Sequence, residues 1–182
     1  YFPQITSEPS PTSSLTEMDF QNLGNILISF DQDYTRLFVA DHYITHRDIE
    51  NIKKTYGTYY KTLKSKLVYQ YVENHSSDLR IDLSSVQSFL RKMHSLDSAV
   101  DSHNEAYVEA ELHNEREYFD NILKEIDPVI QLDDEQRRAV ITDDDHCLLV
   151  AGAGAGKTTT MAAKVKYLVE KKHVNPEEII VI

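Results

Sequence analysis

His146-Cys147-Leu148-Leu149-Val150-Ala151-Gly152-Ala153-Gly154-Ala155-Gly156-Lys157-Thr158 is the stretch on which the reading of this chain turns. An apolar run of strand length, His146–Ala151, enters a loop with glycine at every second position, and the loop ends on Lys157-Thr158. Downstream, Met161, Val165, Leu168 and Val169 recur at helical spacing within Lys157–Lys172. Pro176 then interrupts, and Ile179–Ile182 reads as a second buried strand. Strand, glycine loop, helix, strand is one βαβ unit, so the expected fold class over 128–182 is the beginning of a parallel α/β sheet.

The loop matches a phosphate-binding pattern with Ala151 in the first glycine position. Gly152, Gly154 and Gly156 let backbone N–H groups approach phosphates with no Cβ in the way. The loop feeds a helix N-terminus, whose dipole favours an anion. Lys157 can reach the β- and γ-phosphates, and the Thr158 hydroxyl can ligate Mg²⁺ carried in with the nucleotide. The bland alternative is a glycine-rich turn that merely joins two elements. The apolar run before it, the Gly-Lys-Thr at the correct offset and the helix after it favour the nucleotide. The expected cofactor-binding set is Ala151, Gly152, Ala153, Gly154, Ala155, Gly156, Lys157, Thr158 and Thr159, with Lys157 and Thr158 carrying the chemistry and ATP and Mg²⁺ as cofactors. Upstream, Asp133-Asp134-Glu135-Gln136 opens a short helix through Val140 and Ile141. Asp133 is its N-cap and Gln136 is placed to close a capping box.

Leu132-Asp133-Asp134-Glu135-Gln136-Arg137-Arg138-Ala139-Val140, an acidic spacer and then the glycine loop together resemble the start of the UvrD-like superfamily 1 helicases. The resemblance is strong over 129–182, loose over 84–128 and silent before that. It implies that residues 128–182 begin a RecA-like ATP-binding domain and that Gln136 reads adenine. Within the family, His113-Asn114 and Tyr118-Phe119-Asp120 ahead of the glutamine look most like helicase IV and its relatives. The implied whole protein is an ATP-hydrolysing helicase that tracks single-stranded DNA 3′ to 5′, with parts outside these residues supplying the DNA track. The family's Asp-Glu pair, its arginine fingers and its second RecA-like domain have no match here, so this chain alone is expected not to hydrolyse ATP. Two rivals stand beside that reading: an ATP-driven factor that recycles RNA polymerase through a helical arm, and a non-enzymatic nucleotide-binding scaffold.

The rest of the chain reads as a mainly α-helical region, residues 15–127. Residues 1–14, with three prolines and four serines, read as an extended, flexible tail. Leu15, Met18, Leu23, Ile26, Leu27 and Phe30 step at helical intervals, and Thr45 to about Asn74 reads as one helix despite Gly57. Ser76-Ser77-Asp78 looks like a break. From about 84 to 126 no Gly or Pro interrupts an apolar pattern, which predicts one helix of about 60 Å. Such a helix either packs back as a hairpin, the favoured reading, or projects as an arm that meets a protein partner.

Net charge is −11, and residues 128–182 hold seven Lys/Arg against nine Asp/Glu, which leaves −9 for residues 1–127. On that count, if the parent protein binds DNA, the first 127 residues are not expected to supply most of its phosphate contacts. The eleven tyrosines, dense at Tyr56–Tyr60 and Tyr69–Tyr71, read as core and interface side chains in an acidic region rather than as base-stacking platforms. No apolar run reaches the length of a membrane span. The single cysteine, Cys147, in an apolar run, is expected to be buried, and it points to a reducing, cytoplasmic setting. His42 and His46 stand four apart but have no partner ligands, so no metal is assigned to them. Neither end looks like a natural terminus, and both are expected to be cuts in a longer protein.

Overall fold

The computed structural model describes residues 20–39, 42–150, 152 and 154–181. The tail expected over 1–14 lies outside them, as do Ala151, Ala153 and Ile182. The chain divides into two compact units, one taking the first helix and Arg47–Ala99, the other taking the residues just before Arg47 and everything from Val100 onward.

In the first unit, α1 (Phe20–Val39) buries Leu23, Leu27 and Phe30, a stripe at three- and four-residue steps. α2 (His46–Leu63) answers with Ile52, Tyr56 and Leu63, and α5 (Leu83–His94) with Val86, Phe89 and Met93. The Phe30 ring meets Phe89 edge-on at 4.7 Å and Tyr56 at 5.1 Å. The Tyr56 hydroxyl donates to Asp33 at 2.6 Å, so the buried phenol is satisfied. Between α2 and α5 lie α3 (Lys66–Asn74) and the single turn α4 (Ser76–Leu79). Asp82 starts α5 by accepting from the Ser84 backbone N–H at 3.1 Å.

The continuous helix expected from Thr45 to Asn74 is therefore two. Gly57 does not break it; the chain turns at Lys64-Ser65, where Ser65 is extended (ψ 127°). Ser76-Ser77-Asp78 forms a helical turn rather than an interruption, and Arg80 behind it adopts a left-handed conformation (φ 53°). The long helix expected over 84–126 is three: α5, α6 (Leu96–Asn114) and α7 (Arg116–Asn121). The hydrogen-bond ladder continues across both junctions, with Ala99 N–H donating to Ser95 and Phe119 N–H to Glu115. The breaks are kinks at Ser95 (ψ 10°) and Glu115 (ψ 19°) without Gly or Pro, which is why an unbroken apolar pattern does not betray them.

The second unit gathers Val108 of α6, Phe119 of α7, Ile122, Leu123 and Leu132 around α8 (Asp134–Ile141) and α9 (Lys157–Glu170), which contribute Val140, Ile141, Ala163 and Tyr167. Asn104 holds the segment before α2 against α6: it accepts from Ile44 N–H at 2.8 Å and donates to Ile44 C=O at 2.9 Å.

The α/β expectation fails. Among the described residues there is no strand, and the second unit is helical with a 3₁₀ turn at Pro176–Glu178. Cys147–Val150 and Ile179–Val181 run without helix or strand pairing, and Leu148 is 89% exposed, Val150 83% and Ile180 83%. A helix satisfies its own N–H and C=O groups, whereas a strand needs a neighbour to accept them, and no described segment pairs with either run. Cys147 is accordingly exposed, not buried. No described helix is long and apolar enough to cross a membrane.

Candidate nucleotide-binding site

The site is built on the N-terminus of α9. Gly154 (φ 79°) and Gly156 (φ 77°) both sit in the left-handed region, where a side chain is strained, and they turn the chain into the helix at Lys157. The turn is held from inside. Thr160 is buried, and both its backbone N–H (2.8 Å) and its hydroxyl (3.0 Å) donate to the Gly156 carbonyl. Ala155 N–H reaches back to Gly152 C=O at 3.3 Å.

Outside the turn the loop is open. A Cβ placed at Gly152 or Gly154 would meet nothing within 4 Å, and Lys157 and Thr158 are exposed, with Thr159 half-buried. The Lys157 ammonium donates to the Gly152 carbonyl at 2.8 Å, folded back over its own loop. The first N–H groups of α9 have no acceptor within the helix, as at any helix start. The donor set is thus backbone N–H, the Lys157 ammonium and the Thr158 hydroxyl on an open loop without Cβ atoms at Gly152, Gly154 and Gly156. That set suits a polyphosphate with its divalent cation.

Gln136 is brought to the same place from α8. Its Oε1 accepts from Asp133 N–H at 3.0 Å while Asp133 accepts from Gln136 N–H at 2.8 Å, a complete capping box. Its Nε2 donates to Ala155 C=O at 3.2 Å. A Cβ on residue 156 would lie 2.6 Å from that Nε2 and push the Gln136 amide off the loop, and the φ of 77° strains any side chain there whatever the space. The cap and the loop contact occupy one N–H and one acceptor direction of the amide, which leaves one of each.

Three supports of this geometry carry no motif. Arg137 donates to Leu132 C=O at 3.0 Å and to Asp120 at 2.7 Å, joining α8 to α7. The hydrogen bond from Arg137, with the positive charges of Arg137, Arg116 and Lys124 around it, holds the Asp120 carboxyl below the usual carboxylate range. Lys164 of α9 donates to the Val140 (2.9 Å) and Thr142 (2.5 Å) carbonyls at the end of α8, and burial pushes its ammonium's pKa down. On the far side of α9, the buried Tyr167 donates to Glu111 of α6 at 2.5 Å, Lys172 donates to Tyr107 at 2.5 Å, and Tyr118 donates to Glu170 at 2.9 Å. The apolar spacing of α6 and α9 hints at their packing, but no local pattern announces which hydroxyl meets which carboxylate. Among the described residues no group of three or more His, Cys, Asp or Glu could hold a metal on its own.

The model of the UvrD/REP helicase N-terminal domain matches residues 132–182, the span that holds both Gln136 and the loop. The likeness to that family thus lies in residues 132–182. Over 87 residues, 48% of the chain, it is 34% identical to DNA helicase IV of Escherichia coli (strain K12), covering 12% of that protein. It is 47% identical over 47 residues, 26% of the chain, to the ATP-dependent DNA helicase PcrA of Bacillus subtilis (strain 168), covering 6% of it. To the ATP-dependent DNA helicase UvrD1 of Mycobacterium leprae it is 39% identical over 59 residues, 32% of the chain and 8% of the relative. No solved structure matches the chain.

Proposed function

We propose that this chain is the nucleotide-binding start of an ATP-dependent DNA helicase that moves along single-stranded DNA 3′ to 5′. The observation that carries the reading is a left-handed double-glycine turn that opens α9 at Lys157 while Gln136 hydrogen-bonds the same turn from the family's upstream motif. In this reading the N–H groups of 152–158 hold the phosphates, and Lys157 exchanges the Gly152 carbonyl for the β- and γ-phosphates, a charge-assisted contact. Thr158 ligates Mg²⁺, and Thr159 lies beside it at the helix start. The free N–H and acceptor of Gln136 face adenine's N7 and N6 amine. The cation spreads the charge that develops on the transferred phosphoryl group. Hydrolysis and DNA tracking need the longer protein, of which relatives such as E. coli helicase IV give the scale: the chain covers 12% of it.

Lys157→Ala tests the proposal. Lys157 is exposed, so its loss costs phosphate binding and little packing. The longer protein carrying Lys157→Ala should keep its fold by circular dichroism and lose DNA-stimulated ATP hydrolysis. Wild-type turnover would overturn the assignment of this loop. Hydrolysis indifferent to single-stranded DNA, with retention of RNA polymerase in a pull-down, would instead favour the polymerase-recycling function.

A further inference from the structure

The net charge of the first 127 residues conceals two opposite regions. Residues 100–127 hold two Lys/Arg against nine Asp/Glu, whereas residues 47–99 hold nine against six. Within the latter, from Asn51 to Val72, there are five lysines, five tyrosines and no carboxylate. The expectation about phosphate contacts rests on the average charge of residues 1–127, from which α2 and α3 depart.

The lysines share a face. Ile52, Tyr56 and Leu63 are buried on one side of α2, and Lys54, Gly57, Lys61 and Lys64 follow at three- and four-residue steps on the other, all four lysines from 53 to 64 being exposed. Several other lysines meet carboxylates: Lys92 with Asp31, Lys171 with Glu115, Lys172 with Glu111. Lys53 does so too, with Asp97 at 2.7 Å. Among the described residues no carboxylate pairs with Lys54, Lys61, Lys64 or Lys66.

Two further features point to a ligand on this face. Gly57 sits among the lysines in mid-helix, where glycine weakens the helix; it has no positive φ and nothing within 4 Å of a Cβ, so neither conformation nor packing asks for it. A bare backbone in the middle of a cationic face admits close approach of another chain. At the elbow after α2, Ser65 makes no side-chain cap to α3, which leaves that helix's first N–H groups open between Lys64 and Lys66. Tyr60 lies beneath the Lys64 ammonium at 5.6 Å, and Tyr59 is half-exposed, so rings stand among the charges.

We infer that the face Lys54–Gly57–Lys61–Lys64, continued by Lys66, binds single-stranded nucleic acid through its phosphates, with Tyr59 and Tyr60 offering stacking edges. Leu67 and Tyr71 are too little exposed apolar surface for a membrane-lying helix. The site is separate from the nucleotide loop and does not depend on the proposed ATPase.

Anisotropy of a fluorescein-labelled oligothymidylate of about 20 nucleotides, titrated with the 182-residue chain near about 50 mM salt, tests it. Saturable binding is expected, falling with log salt at a slope of about −2 to −3 for three to four phosphate contacts. Lys54→Gln/Lys61→Gln/Lys64→Gln should lower affinity at least about tenfold and flatten the slope while leaving the melting temperature and ATP binding unchanged. Gly57→Ala should melt higher than the parent yet bind more weakly, a pairing that misfolding cannot produce. No binding at low salt, equal binding by the triple variant, or capture by phosphatidylserine vesicles in place of the oligonucleotide would overturn the inference. Loss of ATP binding with oligonucleotide binding intact would strike the nucleotide reading alone.

Discussion

Gln136 does two jobs with one amide, and substitutions can separate them. Gln136→Ala should remove the capping box, at about 1 kcal/mol of stability by thermal melting, and weaken ATP by about 1–2 kcal/mol relative to GTP. Gln136→Glu keeps an acceptor for Asp133 N–H but has no N–H for Ala155 or adenine, so it should melt near wild type and still lose the preference for ATP. Equal weakening of both nucleotides would leave Gln136 a cap and loop brace only. Gly156→Ala meets both a φ of 77° and an amide nitrogen 2.6 Å from the new Cβ, so a loss of about 1–3 kcal/mol is expected in a urea melt. Asp120 titrates with a definite sign. Its folded pKa lies below the ordinary 3.8, so its contribution is present above that value and disappears as pH falls through the folded pKa. The advantage in melting temperature of the wild type over Asp120→Asn should therefore hold at pH 7 and close below about pH 4. An advantage independent of pH would mean that Asp120 acts through packing rather than charge.

At the level of elements, what was legible in the sequence was what is local. The capping box of α8 and the start of α9 at Lys157 are written in side chains a few residues apart, and the structure has both. The kinks at Ser95 and Glu115 leave the apolar spacing intact, and the elbow at Ser65 has no Pro or Gly beside it, so periodicity reads through all three. The runs at Cys147–Val150 and Ile179–Val181 show the converse error. Apolar content gave them the look of buried strands, but strand formation depends on a partner elsewhere, which composition cannot supply. The candidate site was legible as a motif along the chain; the bond from Gln136 to Ala155, nineteen residues apart, was not. Nor was the fixing of α8 by Lys164, whose ammonium serves two carbonyls at that helix's C-terminal end. Lys164→Met keeps the aliphatic stem and removes both bonds, so the second unit should lose about 1–3 kcal/mol in a denaturant melt. An unchanged midpoint would show that water serves those carbonyls equally well.

For the whole molecule, the division into two units makes a statement about where ligand energy goes. The buried set of the second unit runs from Val108 to Tyr167, and Tyr167 and Ala163 lie on the same helix whose first turn is the candidate phosphate site. In the proposed reading, nucleotide bound at Lys157 would therefore stabilise a helix that is itself core. The first unit holds its own buried set, Leu23, Phe30, Tyr56, Val86 and Phe89 among them, and contributes no residue to the loop. A ligand that binds only the folded form of one cooperative unit slows that unit's opening by a factor of one plus its concentration over Kd, about tenfold at ten times Kd. Hydrogen exchange with ATP and Mg²⁺ at that level should thus slow about tenfold in peptides from α8, α9 and α6 after Val100, which share the core. Peptides from α1, α3 and α5 should exchange at the ligand-free rate. The result carries its own control, because Lys157→Ala should abolish the protection while leaving ligand-free exchange unchanged in both units. Equal protection of Phe30 and Phe89 peptides would mean that the two units open as one, and protection confined to 152–160 would mean that the loop closes on nucleotide without engaging the core behind it.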